Sequence, residues 1–354
     1  MSSVQYLVLA GVGAGEDLYR QLVSRKVEIV RALPLVDGFV CLLPETNVQK
    51  LNSLSSVQWV EQDYVIYVVG RETGYGRTVL FDSVPWGVRR IGAPKVWEQT
   101  RGQGVRVGIL DTGIDLDHPD LLPNLVKGVN ILNPDEPPED DHGHGTHVAG
   151  IVGAARTGGG VIGVAPEAGL VPIKAFNDKG AARLSAVVQG IEWAVRNHIH
   201  VLNMSFGMSM ASLALRRAVN AAHQQGIVLV AATGNDGRKS AAGYPARLQG
   251  VLGIGASTIL DEVADFSTGG YGLDLVAPGK DILSTYLGGS IKTMSGTSMA
   301  AAHVSGVAAL VLAWRPELSP DEVYDLLVEA AEPLAGAAAS EQGAGLPDVA
   351  RVLA

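Results

Sequence analysis

Five predominantly apolar stretches recur between residues 105 and 255, with segments of helical spacing between them. Strands that are apolar on both faces are typical of parallel sheets, because crossover helices cover both faces of such sheets. The alternation therefore predicts an α/β fold in which a parallel sheet carries helices on both faces. The predicted strands are 105–110, 170–175, 201–204, 227–232 and 251–255, and the predicted helices are 146–153, 182–197, 212–225 and 298–313.

The composition excludes several classes of protein. The 354 residues carry 36 acidic and 27 basic side chains, and the net charge of −9 argues against nucleic-acid or anionic-membrane partners. Apolar residues make up 47% of the chain, which is enough for a packed core. The single cysteine, Cys41, excludes an intrachain disulfide. No run of 18 apolar residues occurs, so we expect no membrane span.

Residues 1–69 have the pattern of a small α+β unit. Strand-like and helical stretches follow one another in the ferredoxin-like order β-α-β-β-α-β, with 57–69 as the final strand. A unit of this size without a disulfide is marginal alone, so we expect it to pack against the rest of the chain. Glycines and charges without apolar periodicity indicate an exposed linker, assigned to 70–82. The main domain is then 83–354.

Glycines at positions 11, 13 and 15 follow the first predicted strand and open a helix. This spacing partly matches the dinucleotide-binding fingerprint G-x-G-x-x-G, but its third glycine comes one residue early. The acidic residue that should end the next strand is also misplaced, since Glu28 lies inside that strand. We therefore favour a strand–helix turn over a nucleotide site.

Three histidines lie close together at His142, His144 and His147. Three imidazoles could hold zinc, but glycines separate them and the H-E-x-x-H spacing of a zinc helix is absent. One catalytic histidine with two structural ones is the favoured interpretation.

Three other segments suggest one chemistry. Asp111 ends a predicted buried strand, His144 enters a helix, and Ser298 enters another helix. The carboxyl ends of parallel strands are where sites form in open α/β sheets. A serine becomes a nucleophile when an imidazole takes its proton, and a carboxylate fixes the imidazole tautomer. Each residue alone could be a turn or a helix cap.

The order Asp, His, Ser along the chain is that of subtilisin. The sequences at 111–115, 144–150 and 296–300 resemble the three signatures of subtilisin-like serine proteases, and those at 203–207 and 231–237 resemble further family segments. The resemblance runs from about residue 83 to the end of the chain. Residues 56–63 resemble part of the family's propeptide, an intramolecular chaperone and inhibitor.

The resemblance implies a subtilisin-like fold and a role for each matching residue. Ser298 would be the nucleophile, His144 the general base and then acid, Asp111 its orienting carboxylate, and Asn235 the side-chain donor of the oxyanion hole. Extended substrate would pair with the edge segments 179–182 and 205–207, and the side chain before the scissile bond would fill a pocket between 205–207, 233–235 and Gly243. The residues implied are Lys179, Gly180, Ala181, Ala182, Ser205, Phe206, Gly207, Thr233, Gly234 and Gly243.

A structural calcium ion is a further implication of the resemblance. In relatives, the loop after the catalytic-histidine helix wraps calcium with help from an aspartate and the mature N-terminus. Here that loop is 155–161, and Thr157 replaces the family's asparagine. Carbonyl and carboxylate oxygens could still form the site. The ligands implied are Asp82, Asp120, Ala155, Thr157, Gly159 and Val161.

One residue departs from the family pattern close to the nucleophile. The family usually has proline four residues after the serine, whereas this chain has Ala302. Proline lacks an N–H and clashes with the carbonyl four residues earlier. We therefore expect the helix that carries Ser298 to regain one main-chain donor.

Together these features predict a serine endopeptidase zymogen that processes itself within 69–82, where the proposed propeptide leads into the linker. They also predict broad specificity with a preference for large apolar residues before the scissile bond. The expected partners are polypeptide substrates and the chain's own propeptide, which acts as an inhibitor, and the expected state is a monomer. No organic cofactor is expected. A catalytically silent binding or chaperone module of the same fold is the alternative. The compartment stays open, with secretion slightly favoured if a signal peptide has been removed and the cytoplasm otherwise.

Overall fold

The computed structural model describes residues 3–72, 84–157, 160–238 and 240–354, with the backbone alone at residues 71 and 72. The N-terminal unit comprises β1 (Val4–Ala10), α1 (Gly15–Ser24), β2 (Glu28–Leu33), β3 (Gly38–Leu43), α2 (Val48–Asn52) and β4 (Val57–Gln62). Its strands form an antiparallel sheet in the order β2-β3-β1-β4. This is the order that the ferredoxin-like pattern predicts.

The two faces of this N-terminal sheet are covered differently. Val8 and Cys41 pack under α1 and α2, where Leu18 and Leu51 complete a small core. The alternate residues, such as Leu7 on β1, belong to a core shared with the main domain. Because successive strand residues point to opposite faces, the unit has one face for its own helices and one for its partner.

The glycine-rich turn after β1 is occupied by a side chain of the unit itself. Gly13, at φ +76°, donates its N–H to Asp37 Oδ2 at 3.0 Å. A Cβ at Gly15 would lie 3.3 Å from Asp37 Oδ1. The carboxylate of Asp37 therefore takes the place that a phosphate would need, which agrees with the strand–helix turn and not with a nucleotide site.

The main domain is built on a seven-stranded parallel sheet in the order β15-β14-β13-β11-β7-β9-β8. The elements from residue 65 onward are β5 (Val65–Val68), β6 (Arg71–Glu72), α3 (Trp86–Arg90), β7 (Arg106–Asp111), β8 (Val129–Asn130), α4 (His144–Gly153), β9 (Gly169–Lys174), β10 (Ala181–Arg183), α5 (Leu184–Arg196), β11 (Val201–Met204), β12 (Phe206–Gly207), α6 (Leu213–Gln224), β13 (Val228–Ala232), β14 (Val251–Ser257), β15 (Leu275–Pro278), β16 (Ile282–Tyr286), β17 (Ser290–Ser295), α7 (Thr297–Trp314), α8 (Pro320–Glu329), β18 (Ala331–Glu332), α9 (Ala339–Gln342), β19 (Leu346–Pro347) and α10 (Val349–Val352).

Helices cover both faces of the parallel sheet, which confirms the predicted fold class. On β13, Val230 points into a core that contains α4 and α7, whereas Leu229 points into the core of α5 and α6. Helix α7 is long and apolar enough to cross a membrane by length and composition, but 89% of it is buried. It is the central core helix of the domain.

The predicted last strand of the N-terminal unit, 57–69, is in fact two strands. β4 ends at Gln62, and β5 leaves the N-terminal sheet to pair with β10 and β12 of the main domain. Between them, Asp63 turns inward and its carboxylate accepts hydrogen bonds from Ser185 N and Oγ at 2.9 and 2.8 Å. This buried anchor redirects the chain, which an apolar pattern alone does not reveal.

Two helix starts also differ from the sequence prediction. The helix predicted over 182–197 begins at Leu184, because residues 182 and 183 pair with β5 as part of β10. The helix predicted over 146–153 begins two residues earlier, at His144. Asp140 causes this earlier start, since its carboxylate accepts main-chain N–H groups of Gly143 and Thr146.

Candidate active site

Asp111 and His144 form a buried pair at the carboxyl edge of the parallel sheet. Asp111 is the last residue of β7, and His144 is the first residue of α4. His144 Nδ1 lies 2.7 Å from Asp111 Oδ1, which also accepts the N–H of Thr112 at 2.8 Å. The carboxylate therefore holds the proton on Nδ1 and leaves Nε2 as the basic nitrogen.

Burial and charge act in opposite directions on the pKa of His144. Complete burial disfavours the imidazolium and lowers this pKa. The charge and hydrogen bond of Asp111 raise it, with a further contribution from Asp140. The attraction outweighs the burial, so the pKa of His144 lies above its ordinary value of 6.5.

Ser298 is the second residue of α7, and its hydroxyl faces main-chain carbonyls. Its Oγ donates to the carbonyl oxygen of Val69 and lies 3.0 Å from that of Ser205. His144 Nε2 is buried and has no hydrogen-bond partner within the described part of the chain. The structure thus brings the serine, the imidazole and a peptide carbonyl together, with the hydroxyl turned toward the carbonyl.

Asn235 is held with its amide nitrogen toward the same carbonyl. Its Oδ1 accepts hydrogen bonds from Thr297 N and Oγ1 at 3.0 and 3.1 Å. A Cβ built on Gly296 would lie 3.1 Å from the Val69 oxygen and 3.2 Å from Asn235 Nδ2. The amide donor and the carbonyl oxygen therefore lie beside the same side-chain-free position.

The Val69 carbonyl directly follows β5, a strand that crosses the site. β5 lies antiparallel between β10 and β12. Val68 N donates to Gly180 O and Val69 N donates to Ser205 O, both at 3.0 Å. Beyond the site, β6 pairs with β17. The main chain is thus held on both sides of the bond between Val69 and Gly70.

The side chain of Val69 enters a cavity of about 460 Å³. A Cβ at Gly243 would lie 3.2 Å from the carbonyl oxygen of Met208, so glycine keeps this wall free of side chains. The predicted residues Gly207, Thr233, Gly234, Asn235 and Gly243 all line the cavity. Of the other predicted substrate residues, Gly180 to Ala182 and Ser205 to Gly207 flank β5, and Lys179 lies beside Tyr67 and Val68 in a second, smaller cavity.

Sequence reasoning missed two parts of the site. Ile66 is 1% exposed and packs in a core with Phe176 and Phe206, whereas its neighbours Val65 and Tyr67 are 50% and 58% exposed. Side chains along an extended strand point alternately to opposite faces. Ile66 could therefore have been predicted as a second buried position, once β5 was known to be a strand. Arg247 lines the cavity around Val69, and no sequence signal pointed to it.

The other two histidines do not join His144 around a common point. His147 Nε2 lies 3.1 and 3.0 Å from the carbonyl oxygens of Ile282 and Lys292. Burial lowers the pKa of His147 to about 3, so this residue is neutral at ordinary pH. Within the described residues, no group of three His, Cys, Asp or Glu side chains is placed to hold a metal.

The loop predicted to bind calcium wraps the carboxylate of Asp120. Oδ1 accepts the N–H of Thr157 and Oδ2 accepts that of Val161, both at 2.9 Å. Ala155 N donates to the main-chain oxygen of Asp120 at 2.7 Å. The remaining predicted ligands, Asp82 and Gly159, lie outside the described residues.

Comparisons with known proteins agree with this geometry. The model of the subtilase family matches residues 102–345. The chain is 37% identical to subtilisin E of Bacillus subtilis (strain 168) over 305 residues, which cover 85% of the chain and 77% of that relative. It is 41% identical to an intracellular serine protease of Paenibacillus polymyxa over 278 residues, 75% of the chain and 85% of the relative.

A third relative, subtilisin Savinase of Lederbergia lenta, is 42% identical over 253 residues, which cover 71% of the chain and 93% of the relative. The matched family segment contains Asp111, His144, Asn235 and Ser298. The chain therefore belongs to the subtilase family and is a serine endopeptidase.

Proposed function

We propose that the protein is a zymogen that cleaves its own chain between Val69 and Gly70, with residues 1–69 as its propeptide. The observation that carries the proposal is the placement of β5 as an added strand between β10 and β12, with the Val69 carbonyl at Ser298 Oγ. Strand addition is a general mode of binding extended peptides. The bond lies at the start of the 69–82 segment, which the sequence predicts to contain the maturation site.

The proposed reaction is acyl transfer followed by hydrolysis. Ser298 Oγ attacks the Val69 carbonyl carbon as His144 Nε2 takes the hydroxyl proton. The imidazolium gives that proton to the Gly70 nitrogen, the peptide bond breaks, and the Val69 acyl group remains on the serine. Water, deprotonated by the neutral imidazole, then hydrolyses the ester. Asp111 keeps Nδ1 protonated throughout.

The negative oxygen of the tetrahedral intermediate needs hydrogen-bond donors. Asn235 Nδ2 is proposed as one, because Thr297 occupies its Oδ1 and so fixes the orientation of the amide. The main-chain N–H of Ser298, at the N-terminus of α7, is the second. Ser298 belongs to α7, and Asn235, in the loop after β13, is held by Thr297, so both donors would need little rearrangement during the reaction.

The same unit is proposed to inhibit the enzyme and to assist its folding. Glu61 accepts hydrogen bonds from Ser212 Oγ and Ala214 N at 3.0 and 2.9 Å, at the start of α6. Asp63 binds Ser185 in the same way at the start of α5. Anions at helix N-termini satisfy unpaired N–H groups and oppose the helix dipole. The propeptide thus stabilises two helices that flank the substrate strands.

Substrates are proposed to bind as β5 does, in an extended conformation and with broad specificity. The pocket around Val69 is only partly filled, which favours large apolar side chains before the scissile bond. A second apolar position lies three residues earlier, where Ile66 is buried. Positions equivalent to Val65 and Tyr67 are half-exposed and would tolerate many residues.

Calcium is proposed as a structural ion in the loop around Asp120. Asp120 is 2% exposed, and its Oδ1 accepts both the N–H of Thr157 and, at 3.4 Å, the hydroxyl of Thr157. Its Oδ2 accepts the N–H of Val161 and keeps a further lone pair. Such a buried carboxylate would gain from a hard cation, with carbonyl oxygens of the loop completing the ligand set. When bound, calcium would cross-link this loop to Asp120 and take no part in peptide cleavage.

Self-cleavage is tested with a variant that lacks the nucleophile. Purified Ser298→Ala should remain a single chain, whereas the parent should mature to a chain that begins at Gly70, as measured by intact mass and N-terminal sequencing. Ser24→Ala is the matched control, because the side chain of this exposed serine hydrogen-bonds only to Gln21 and Arg25 among the described residues, and it should mature like the parent. Maturation of purified Ser298→Ala would show that another protease cuts the chain.

The buried position at Ile66 predicts selectivity at the fourth residue before the scissile bond. Tetrapeptide amide substrates with isoleucine there should have a kcat/KM at least tenfold above those with glycine, because burying such a side chain contributes about 1.5–3 kcal/mol. Substitution at the third position, equivalent to Tyr67, is the internal control and should change kcat/KM less than threefold. Equal sensitivity at the two positions would contradict substrate binding in the manner of β5.

The raised pKa of His144 predicts the acid limb of activity. The base must be neutral, so kcat/KM for an uncharged substrate should fall below a midpoint that lies above 6.5. Asp111→Asn removes the attraction that raises this pKa, so its residual activity should be much lower and its midpoint should move to lower pH. A parent midpoint below 6.5, or one unmoved in Asp111→Asn, would count against the proposed pairing.

Calcium binding predicts an ion-dependent Tm. The mature enzyme should melt at a higher temperature in millimolar calcium than in excess chelator, because an ion that binds only the folded state stabilises it. Asp120→Ala should abolish this difference even if it lowers Tm in both buffers. Asp117→Ala, an exposed acid nearby, should retain it. Equal parent Tm values in the two buffers would rule out a reversible calcium site.

A further inference from the structure

Arg247 is a cation in the wall of the pocket that receives Val69. It lines the same cavity as Val69, Gly243 and Asn235. Its main-chain N–H donates to the carbonyl oxygen of Gly243 at 3.2 Å, which places it one turn after the glycine that keeps the wall open. The arginine is therefore part of the pocket proposed to take the residue before the scissile bond.

The guanidinium of Arg247 is positioned by aromatic rings. Its Cζ lies 5.2 Å from the ring centre of Tyr244 and 5.5 Å from that of Tyr271. Nε is buried without a hydrogen bond, and no carboxylate pairs with this side chain among the described residues. Aromatic contacts orient a guanidinium but leave its N–H groups unsatisfied.

The other charged group in the lining is Asp236, and the two residues differ in exposure. Arg247 is half-buried, whereas Asp236 is exposed at the rim of the cavity. The nearby Arg238 is already neutralised by an ion pair with Asp265 at 2.8 Å. Of the two charged residues in the lining, Arg247 is therefore the one that is partly shielded from water. Interactions between charges are stronger in such a shielded position than in water.

Val69 has no polar atom on its side chain that could bind this cation. Its Cγ2 would lie 3.6 Å from a Cβ at Gly207, and a cavity of about 460 Å³ remains in the pocket. A longer side chain could extend into that space along walls made largely of glycine and main chain. An anionic end would there gain charge-assisted hydrogen bonds from the guanidinium.

We propose that Arg247 is a specificity-determining residue that lets the enzyme accept glutamate before the scissile bond. The proposal deepens the proposed function and rests on β5 marking the substrate path. It adds an acidic class of substrate to the large apolar one, since long apolar side chains use the walls of the pocket and glutamate uses the guanidinium. Lysine and arginine would be repelled by the same group.

The test compares substrates that differ only in charge. Tetrapeptide amides with isoleucine in the fourth position before the scissile bond and Glu, Gln, Phe or Ala in the first would be assayed for kcat/KM with mature enzyme. Arg247→Gln should lower the Glu:Gln ratio at least fivefold and leave the Phe:Ala ratio within twofold of the parent. Arg247→Lys, which keeps the charge, should restore at least part of the Glu:Gln ratio.

Two further measurements do not depend on the stability of an Arg247 variant. Asp236→Asn should raise the Glu:Gln ratio, because it removes the competing negative charge at the rim. In the parent, that ratio should fall as sodium chloride is raised from 0.05 to 0.5 M, since salt screens the attraction. A parent ratio that is independent of salt would overturn the proposal, as would a ratio unchanged within twofold in Arg247→Gln.

The outcome also separates this proposal from the proposed function. If the Phe:Ala ratio shows no preference for a large residue but Arg247→Gln lowers the Glu:Gln ratio, the apolar preference fails and the role of Arg247 stands. If the Phe:Ala ratio is high and the Glu:Gln ratio does not respond, the apolar pocket stands and Arg247 has no role in it.

Discussion

The site depends on one buried hydrogen bond, between the carboxylate of Asp111 and the imidazole of His144. It joins the end of the interior strand β7 to the first residue of α4, so both partners belong to rigid elements of the core. An ionised carboxylate is costly to bury, and the imidazole and the N–H of Thr112 offset that cost. The same pairing raises the pKa of His144 against the effect of burial.

The substrate strand uses a different kind of interaction. β5 is held by main-chain hydrogen bonds to β10 and β12, which recognise an extended chain and place little demand on its sequence. Selectivity for particular side chains arises where side chains are buried, at Ile66 and in the pocket of Val69. The broad specificity proposed here would need this division, with affinity from the backbone and selectivity from two pockets.

The N-terminal unit, our proposed propeptide, joins the main domain through polar anchors as well as apolar packing. Its sheet face shares a core with α5 and α6, while Glu61 and Asp63 bind the N-termini of those helices. If the unit is removed by the proposed cleavage, the helix ends would lose these acceptors, whereas the parallel sheet would keep all its strand pairings. In the proposed substrate pocket, aromatic rings orient the guanidinium of Arg247, and no carboxylate among the described residues pairs with it.

The amino-acid pattern was enough to predict the fold class and the catalytic set proposed here. Apolar strands alternating with helices require a parallel sheet covered on both faces, and Asp111, His144 and Ser298 stand at element ends, where such a sheet concentrates side chains. The tertiary structure alone decided that 57–69 divides into two strands, because the carboxylate of Asp63 is anchored 122 residues away in sequence, at Ser185. It also decided the roles proposed for Ile66 and Arg247. Their local patterns are ordinary, and their importance comes from what long-range packing places beside them.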